Sequence, residues 1–176
     1  SIFQTVSIAT TTGFTTANFQ NWPGFMPLLL IFSCFIGACA GSTCGGIKVI
    51  RILLLFKQGI REIKRLIHPN AIFTIKIGDK PISERIIEAV WGFLAVYVVI
   101  FTILLLALMA TEIDFTTAFS ALSACMNNLG PGLGEVSQNY YAINNFAKWI
   151  LCFAMLLGRL EIFTLLVLFT PAFWRH

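Results

Sequence analysis

The sequence predicts an all-α membrane protein built from a repeated unit: transmembrane helix, short helix, polar loop, transmembrane helix. Three observations predict it. Hydrophobic residues make up 57% of the 176 and charged residues only 11%, with a mean hydropathy of +0.84, whereas soluble domains carry roughly a quarter charged residues. The apolar residues come in runs long enough to cross a hydrocarbon core of about 30 Å. Two polar, glycine-containing segments, residues 9–14 (Ala-Thr-Thr-Thr-Gly-Phe) and 126–131 (Met-Asn-Asn-Leu-Gly-Pro), sit 117 positions apart when aligned on Gly13 and Gly130. Each follows a short apolar segment and precedes a long one, as a repeated re-entrant loop should.

Taken in order, residues 1–9 are too short and too polar to span, and read as a short helix ending at the 10–13 turn. Residues 15–24, with Asn18, Asn21 and Pro23, are a polar connection. Residues 22–57 are one long apolar stretch that would measure about 50 Å as a straight helix. Its centre, residues 37–46 (Gly-Ala-Cys-Ala-Gly-Ser-Thr-Cys-Gly-Gly), predicts an unwound break. Non-helical backbone at membrane depth survives only inside protein or against a water-filled cavity, so the break points to a pathway.

Residues 57–68 place Ile60, Ile63 and Ile67 on one helical face and Lys57, Arg61, Lys64, Arg65 and His68 on the other. That is an amphipathic helix leaving the membrane, ended by Pro69. Weak alternation over 71–77 and the Gly78-Asp79 pair predict a small hairpin. Ser83 is a candidate N-cap for the next helix. Residues 86–110 are an unbroken span, 111–117 a polar turn with Glu112 and Asp114, and 118–126 a second short helix. Residues 132–145 read as polar and exposed, and 146–170 as a final span, followed by Pro171. The chain opens without Met and with no signal-peptide pattern. It is therefore expected to be the C-terminal part of a longer protein.

Nine of the twelve Lys and Arg fall between Lys48 and Arg85. Flanked by apolar spans, that cluster fits a cytoplasmic loop and not a nucleic-acid surface. Glu112, Asp114, Glu135 and Lys148 then lie outside, and both polar loops open outward. The cysteines (Cys34, Cys39, Cys44, Cys125, Cys152) all lie in or beside apolar stretches without a His at zinc spacing, as buried reduced thiols do. Trp22, Trp91, Trp149 and Trp174 fall near span ends, as interfacial anchors do.

A dehydrating cation needs several oxygen ligands at close range, and backbone carbonyls supply them when the chain is extended and aims them inward. Glycine permits the required backbone angles. Thr10, Thr11 and Thr12, or Asn127 and Asn128, could add oxygens or tie the loops to their walls. Neither loop carries a carboxylate, which favours a carbonyl site over an acidic one. Arg159 lies near the middle of the last span, where a charge is costly and generally functional. Glu161, two positions on, points to a different helical face and is a poor partner.

Residues 10–15 (Thr-Thr-Thr-Gly-Phe-Thr), 127–132 (Asn-Asn-Leu-Gly-Pro-Gly), the break at 37–46 and the Gly158-Arg159 pair together resemble the Trk/Ktr/HKT potassium-transport superfamily. The chain is most similar to the C-terminal half of its bacterial TrkH-type potassium uptake subunits. The resemblance implies a potassium-channel-like fold of four repeats, pseudo-fourfold around one pore in the full-length protein. Residues 1–68 would be the end of the third repeat, 69–85 a cytoplasmic connection and 86–176 the fourth repeat. The first two repeats would lie outside this chain.

The resemblance further implies potassium bound through backbone carbonyls of Thr11, Thr12, Gly13, Asn128, Leu129 and Gly130. It implies a gate made by Gly41, Ser42, Thr43, Gly45 and Gly46 with Arg159. The fourth repeat departs from the Thr-x-Gly style of the third by using Asn-Leu-Gly, which makes the filter less symmetric. Also implied are a multi-pass location in the bacterial inner membrane, a homodimer, and a cytosolic nucleotide-binding regulatory ring of the TrkA type. The basic 57–85 segment is either the docking surface for that ring or simple positive-inside bias. Potassium is the expected substrate and the lipid bilayer the expected surroundings, with no cofactor in this chain and no nucleic acid.

A secondary cation transporter with a broken-helix midplane site is the alternative. The break favours it, and the matched short helices do not. A membrane-embedded enzyme would need paired catalytic groups, but His68 and His176 sit at the cytoplasmic ends, and the span interior offers only Arg159 and Glu161. A non-transporting scaffold would leave two matched polar loops idle.

Overall fold

Helices separated by tight turns carry almost all of the regular structure. The computed structural model describes residues 2–16, 19–37, 45–69, 71, 73–78, 80–137, 139–160, 162–169 and 174. The first unit holds α1 (Ile2–Ala9), a 3₁₀ turn (Phe19–Asn21), α2 (Met26–Ile36) and α3 (Val49–Ile67). A two-residue antiparallel pair, β1 (Lys76–Ile77) with β2 (Lys80–Pro81), forms the expected hairpin. The second unit holds α4 (Glu84–Met109), α5 (Phe115–Met126), a 3₁₀ turn (Gly134–Val136), α6 (Asn145–Arg159) and α7 (Ile162–Phe169).

Of the described helices, α4 alone is long and apolar enough to cross a membrane by itself, with mean hydropathy 2.7. Its 26 residues measure about 39 Å. α2 and α5 are shorter apolar helices. Pro27 near the start of α2 fits there because the first-turn amides have no intrahelical partner.

α5 is the hub. Nine of its twelve residues are buried, and many are small: Ala118, Ser120, Ala121, Ser123 and Ala124. Small side chains let helices approach closely where lipid gives no hydrophobic drive. One core joins Leu104 and Leu108 of α4, Ala121, Leu122 and Cys125 of α5, and Ala147, Leu151 and Leu157 of α6. A second crosses between the units, joining Ile8, Phe19, Leu30, Ile31 and Cys34 to Ala124, Leu129 and Leu133. Aromatic rings bridge α2, α4 and α5 through Phe32–Phe119 (5.9 Å), Phe35–Phe101 (5.8 Å) and Phe101–Phe119 (5.7 Å).

α3 runs antiparallel to α4. The Arg51 guanidinium lies 4.1 Å over the Phe93 ring, and Arg61 reaches Glu84 at 3.5 Å. The basic end of α3 therefore sits at the start of α4, and Glu112 lies past its far end. The two charge groups are segregated along that helix, as the basic-loop reading expects.

Several sequence expectations change. In the 57–68 segment the two faces are not separated by burial: Gln58 is buried and Arg61 largely covered, while residues 62–68 are exposed, apolar and basic alike. Helix α5 begins at Phe115, inside the stretch read as a turn, because Asp114 caps it by accepting from the Thr116 N–H at 3.1 Å. Ser83 precedes α4 but makes no side-chain cap bond. The 132–145 connection is not simply exposed, since Leu133, Val136 and Ile143 are buried. α6 ends at Arg159 and α7 starts at Ile162, and Glu161 between them lies outside the described residues. Arg159 is thus a helix-end residue, exposed in the last turn of α6, where a cation meets the negative end of the helix dipole. Cys34 and Cys125 are buried free thiols but Cys152 is exposed; Cys39 and Cys44 lie outside the described residues.

The capping difference is testable by chemical unfolding of the full-length protein in detergent. Asp114→Ala should cost about 1 kcal/mol. Ser83→Ala should stay within about 0.5 kcal/mol of the parent. Equal losses would contradict the capping geometry.

Candidate functional site

Two turns with one backbone geometry follow the two short helices. After α1, the Thr11 N–H donates to the Ile8 carbonyl (3.1 Å) and the Thr12 N–H to the Ser7 carbonyl (2.8 Å). After α5, the Asn128 N–H donates to the Cys125 carbonyl (3.1 Å) and the Leu129 N–H to the Ala124 carbonyl (2.8 Å). Thr11 and Asn128 share the left-handed conformation, at φ 53° and 54°. Gly13 and Gly130 follow at φ 83° and 105°. Every pair keeps the offset of 117. This is a helix terminated by a left-handed residue, with the last carbonyls recaptured by the turn. Each helix aims the partial negative charge of its C-terminal end at its own loop, which favours a cation there.

Different side chains hold the two copies. In the first, Ser7 Oγ donates to the Phe14 carbonyl (2.7 Å) and Thr10 Oγ1 to the Val6 carbonyl (2.7 Å). The Thr10 and Thr12 hydroxyls lie 2.8 Å apart and share a hydrogen bond. In the second, Ser120 Oγ accepts from the Leu133 N–H (2.9 Å) and donates to the Leu133 carbonyl (3.1 Å). The Tyr140 hydroxyl donates to the Gly130 carbonyl at 2.6 Å. Burial pushes the Tyr140 pKa above its ordinary value, so the hydroxyl remains a donor across the physiological range.

The loops meet at Gly13 and Leu129. A Cβ on Gly13 would run into the Leu129 carbonyl oxygen, with Pro131 Cδ at 3.6 Å. Gly13 is therefore required twice, by its positive φ and by this close approach. Gly130 differs: a Cβ there would meet nothing within 4 Å, so only its backbone angle demands glycine.

The second turn is also gripped from two other directions. A Cβ on Gly45 would lie 2.7 Å from the Asn127 carbonyl, and one on Gly46 2.8 Å from Asn127 Oδ1. On α6, a Cβ at Gly158 would strike the Met126 carbonyl and approach Asn128 Nδ2 at 2.9 Å. The ends of the α2–α3 break stay together: the Ile47 N–H donates to the Phe35 carbonyl (3.1 Å). Of the residues expected to form a gate, Gly45 and Gly46 pack beside Asn127, and Arg159 follows Gly158. Gly41, Ser42 and Thr43 lie outside the described residues.

The side chain of Asn127 faces inward and not toward the loop mouth. It donates to the Ser123 carbonyl (2.8 Å) and to Cys34 Sγ (3.3 Å). A cavity of about 400 Å³ lies against the second loop, bordered by Asn128, Leu129, Gly130, Tyr140 and Met155.

The family model described as "Cation transport protein", TrkH, matches residues 1–176. The chain belongs to the TrkH family. It is 60% identical over 174 residues to the Trk system potassium uptake protein TrkH of Escherichia coli K12, covering 99% of this chain and 36% of that protein. It is 40% identical over 175 residues to the Trk system potassium uptake protein TrkG of the same strain, again covering 99% of the chain and 36% of the relative. Among solved structures it matches the crystal structure of the potassium transporter TrkH from Vibrio parahaemolyticus, with TM-score 0.91 and 59% identity. That match covers 99% of this chain and 37% of the transporter. The chain thus spans about a third of the length of these relatives. Membership makes it a helical membrane protein of a transport family and not an enzyme, in agreement with the composition and the loop pattern.

Sequence reasoning missed Tyr140, Ser120, the inward turn of Asn127 and the packing role of Gly158. A Tyr ten residues beyond Gly130 gives no local signal. Gly158 does carry one, since an isolated glycine inside a helical pattern usually has a packing reason.

That packing separates two glycines. Gly158→Ala in the full-length protein should lower stability by about 1–3 kcal/mol, through overpacking against the Met126 carbonyl. Gly59→Ala, at a site in α3 with nothing within 4 Å, should raise it by up to about 1 kcal/mol. Unfolding curves that rank the two the other way would refute the close contact.

Proposed function

We propose that this chain is part of a potassium-selective permeation subunit of a Trk-type uptake system. The observation that carries the reading is the pair of geometrically matched loops, set edge to edge where the Leu129 carbonyl packs against Gly13. In this reading the carbonyls of Thr11, Thr12, Gly13, Asn128, Leu129 and Gly130 replace part of the ion's hydration shell. The names of the relatives, potassium uptake proteins and a potassium transporter, support potassium as the ion. The Gly130 carbonyl has the Tyr140 hydroxyl as a second partner, so it is the most weakly ligating of the six.

Below the filter, the 37–46 segment and Arg159 form the gate. Gly45, Gly46 and Gly158 all bear on the turn 126–128, and these contacts support a gate beside the second loop. A cation arriving there meets the Arg159 charge, and the gate opens when that charge and the segment withdraw. The full assembly is a homodimer in the bacterial inner membrane with a nucleotide-binding regulatory ring on its cytosolic face. The basic 57–85 segment is the docking surface for that ring. A secondary transporter is the second reading, favoured by the break between α2 and α3. Saturable flux coupled to a second ion would identify it.

Flux of the reconstituted full-length protein in potassium against sodium tests the filter. Gly13→Ser forces a side chain onto a positive-φ residue at a cost of about 1–2 kcal/mol and against Leu129. It should reduce potassium preference roughly tenfold, about 1.4 kcal/mol of discrimination, while Gly130→Ser should have the smaller effect. Unchanged preference in both variants would sink the filter assignment. For the gate, Arg159→Ala should raise basal flux, and a fall in flux with intact folding would count against it.

A further inference from the structure

We propose that Asn127 is a positioning residue that couples the exit of the α2–α3 break to the second loop. Through it, a shift at Gly45 and Gly46 changes which cation the loop accepts. The proposal rests on the reading of the loops as a cation filter.

Asn127 is the first residue after α5 and its side chain is fully buried. A buried amide is costly unless its donors and acceptors are used, so its orientation is set by the bonds it makes. The amide donates to the Ser123 carbonyl at 2.8 Å, a bond within its own element, and to Cys34 Sγ at 3.3 Å, near the end of α2. Its Oδ1 has no hydrogen-bond partner among the described residues. That atom lies where the missing side chain of Gly46 would be, 2.8 Å from a Cβ built there. The Asn127 backbone covers the bare face of Gly45 in the same way, with its carbonyl carbon and oxygen at 2.7 Å and its Cα at 3.0 Å from such a Cβ. One residue therefore touches the last turn of α5, the end of α2 and the exit of the break. The next two residues, Asn128 and Leu129, are the loop.

A helix-end asparagine serving only as a local cap would need the Ser123 bond alone. Neither a sulfur acceptor 93 positions away nor two adjacent glycines would be required. The contact with Gly45 is close packing without a gap, and interiors at native density pass displacement on instead of absorbing it. A shift of the exit toward or away from α5 must therefore move Asn127, and with it the Leu129 carbonyl that packs on Gly13.

The test is a double-mutant cycle in the reconstituted full-length protein, with the potassium-to-sodium permeability ratio and total potassium flux as readouts. Gly46→Ala lies outside both loops, yet it should shift the ratio by roughly fivefold, the low end of site-to-site couplings. Asn127→Ser shortens the side chain away from the added methyl, so the double variant should recover part of that loss. The backbone strain of alanine at φ 88° is the same in both arms and cancels in the cycle. An unchanged ratio in Gly46→Ala, or strictly additive effects, would overturn the coupling. If Gly46→Ala does not fold, Cys34→Ala removes the distant acceptor without adding volume and should shift the ratio in the same direction. An unchanged ratio there would overturn the proposal equally. A wild-type protein without potassium preference would instead overturn the filter reading beneath it, and would show before any substitution.

Discussion

The structure depends on one constraint: the turn after α5 is packed, backbone to backbone, against three other segments at once. Gly13 meets it through the Leu129 carbonyl, Gly45 through the Asn127 backbone and Gly158 through the Met126 carbonyl. None of these positions tolerates even a methyl group without movement. Much of the remaining architecture serves that convergence. α5 is buried almost along its length and lined with small residues, because α2, α4 and α6 must all reach it. The two hydrophobic cores meet on it, one inside the second unit and one between the units. The break between α2 and α3 returns to its starting point, so that its exit lies against the same turn. In a bilayer such contacts rest on close packing and hydrogen bonding, since lipid is as apolar as the helices themselves.

The two loops arrive at one backbone shape by different means. The first is more open and is braced by hydroxyls on its own helix, from Ser7, Thr10 and Thr12. The second is deeper and is braced by more distant groups: Tyr140 on the Gly130 carbonyl and Asn127 on Cys34. Shape follows from the helix end and the glycine that succeeds it, so different flanking side chains serve the same turn. For a site made of carbonyl oxygens this division is natural. Ligand geometry belongs to the backbone, and side chains determine how firmly it is held. A loop held by distant groups also responds to distant events, and that links the second loop to the break.

Much of this was legible in the sequence, for identifiable reasons. Gly13 and Gly130 stood out because glycine in a polar stretch between apolar runs is a strong local signal. The ends of α2 and α3 were visible in the glycines around 37–46. What failed depended on pairings remote in sequence. The amphipathic pattern of 57–68 gave no sign that Arg61 reaches Glu84, 23 positions on. Asn127 and Asn128 read as equivalent polar neighbours. Only the fold reveals that one turns into the protein while the other follows the loop.

If the two matched loops are parts of one filter, a cation sits within reach of both and is held by their carbonyls. Anomalous diffraction from crystals of the full-length protein soaked in rubidium or thallium, which substitute for potassium, tests this most directly. A peak is expected within ligating reach of the backbone carbonyls of both loops, and it should persist when sodium is in excess. Heavy-ion density confined to other parts of the protein, with the space beside Gly13 and Leu129 empty of it, would contradict the account.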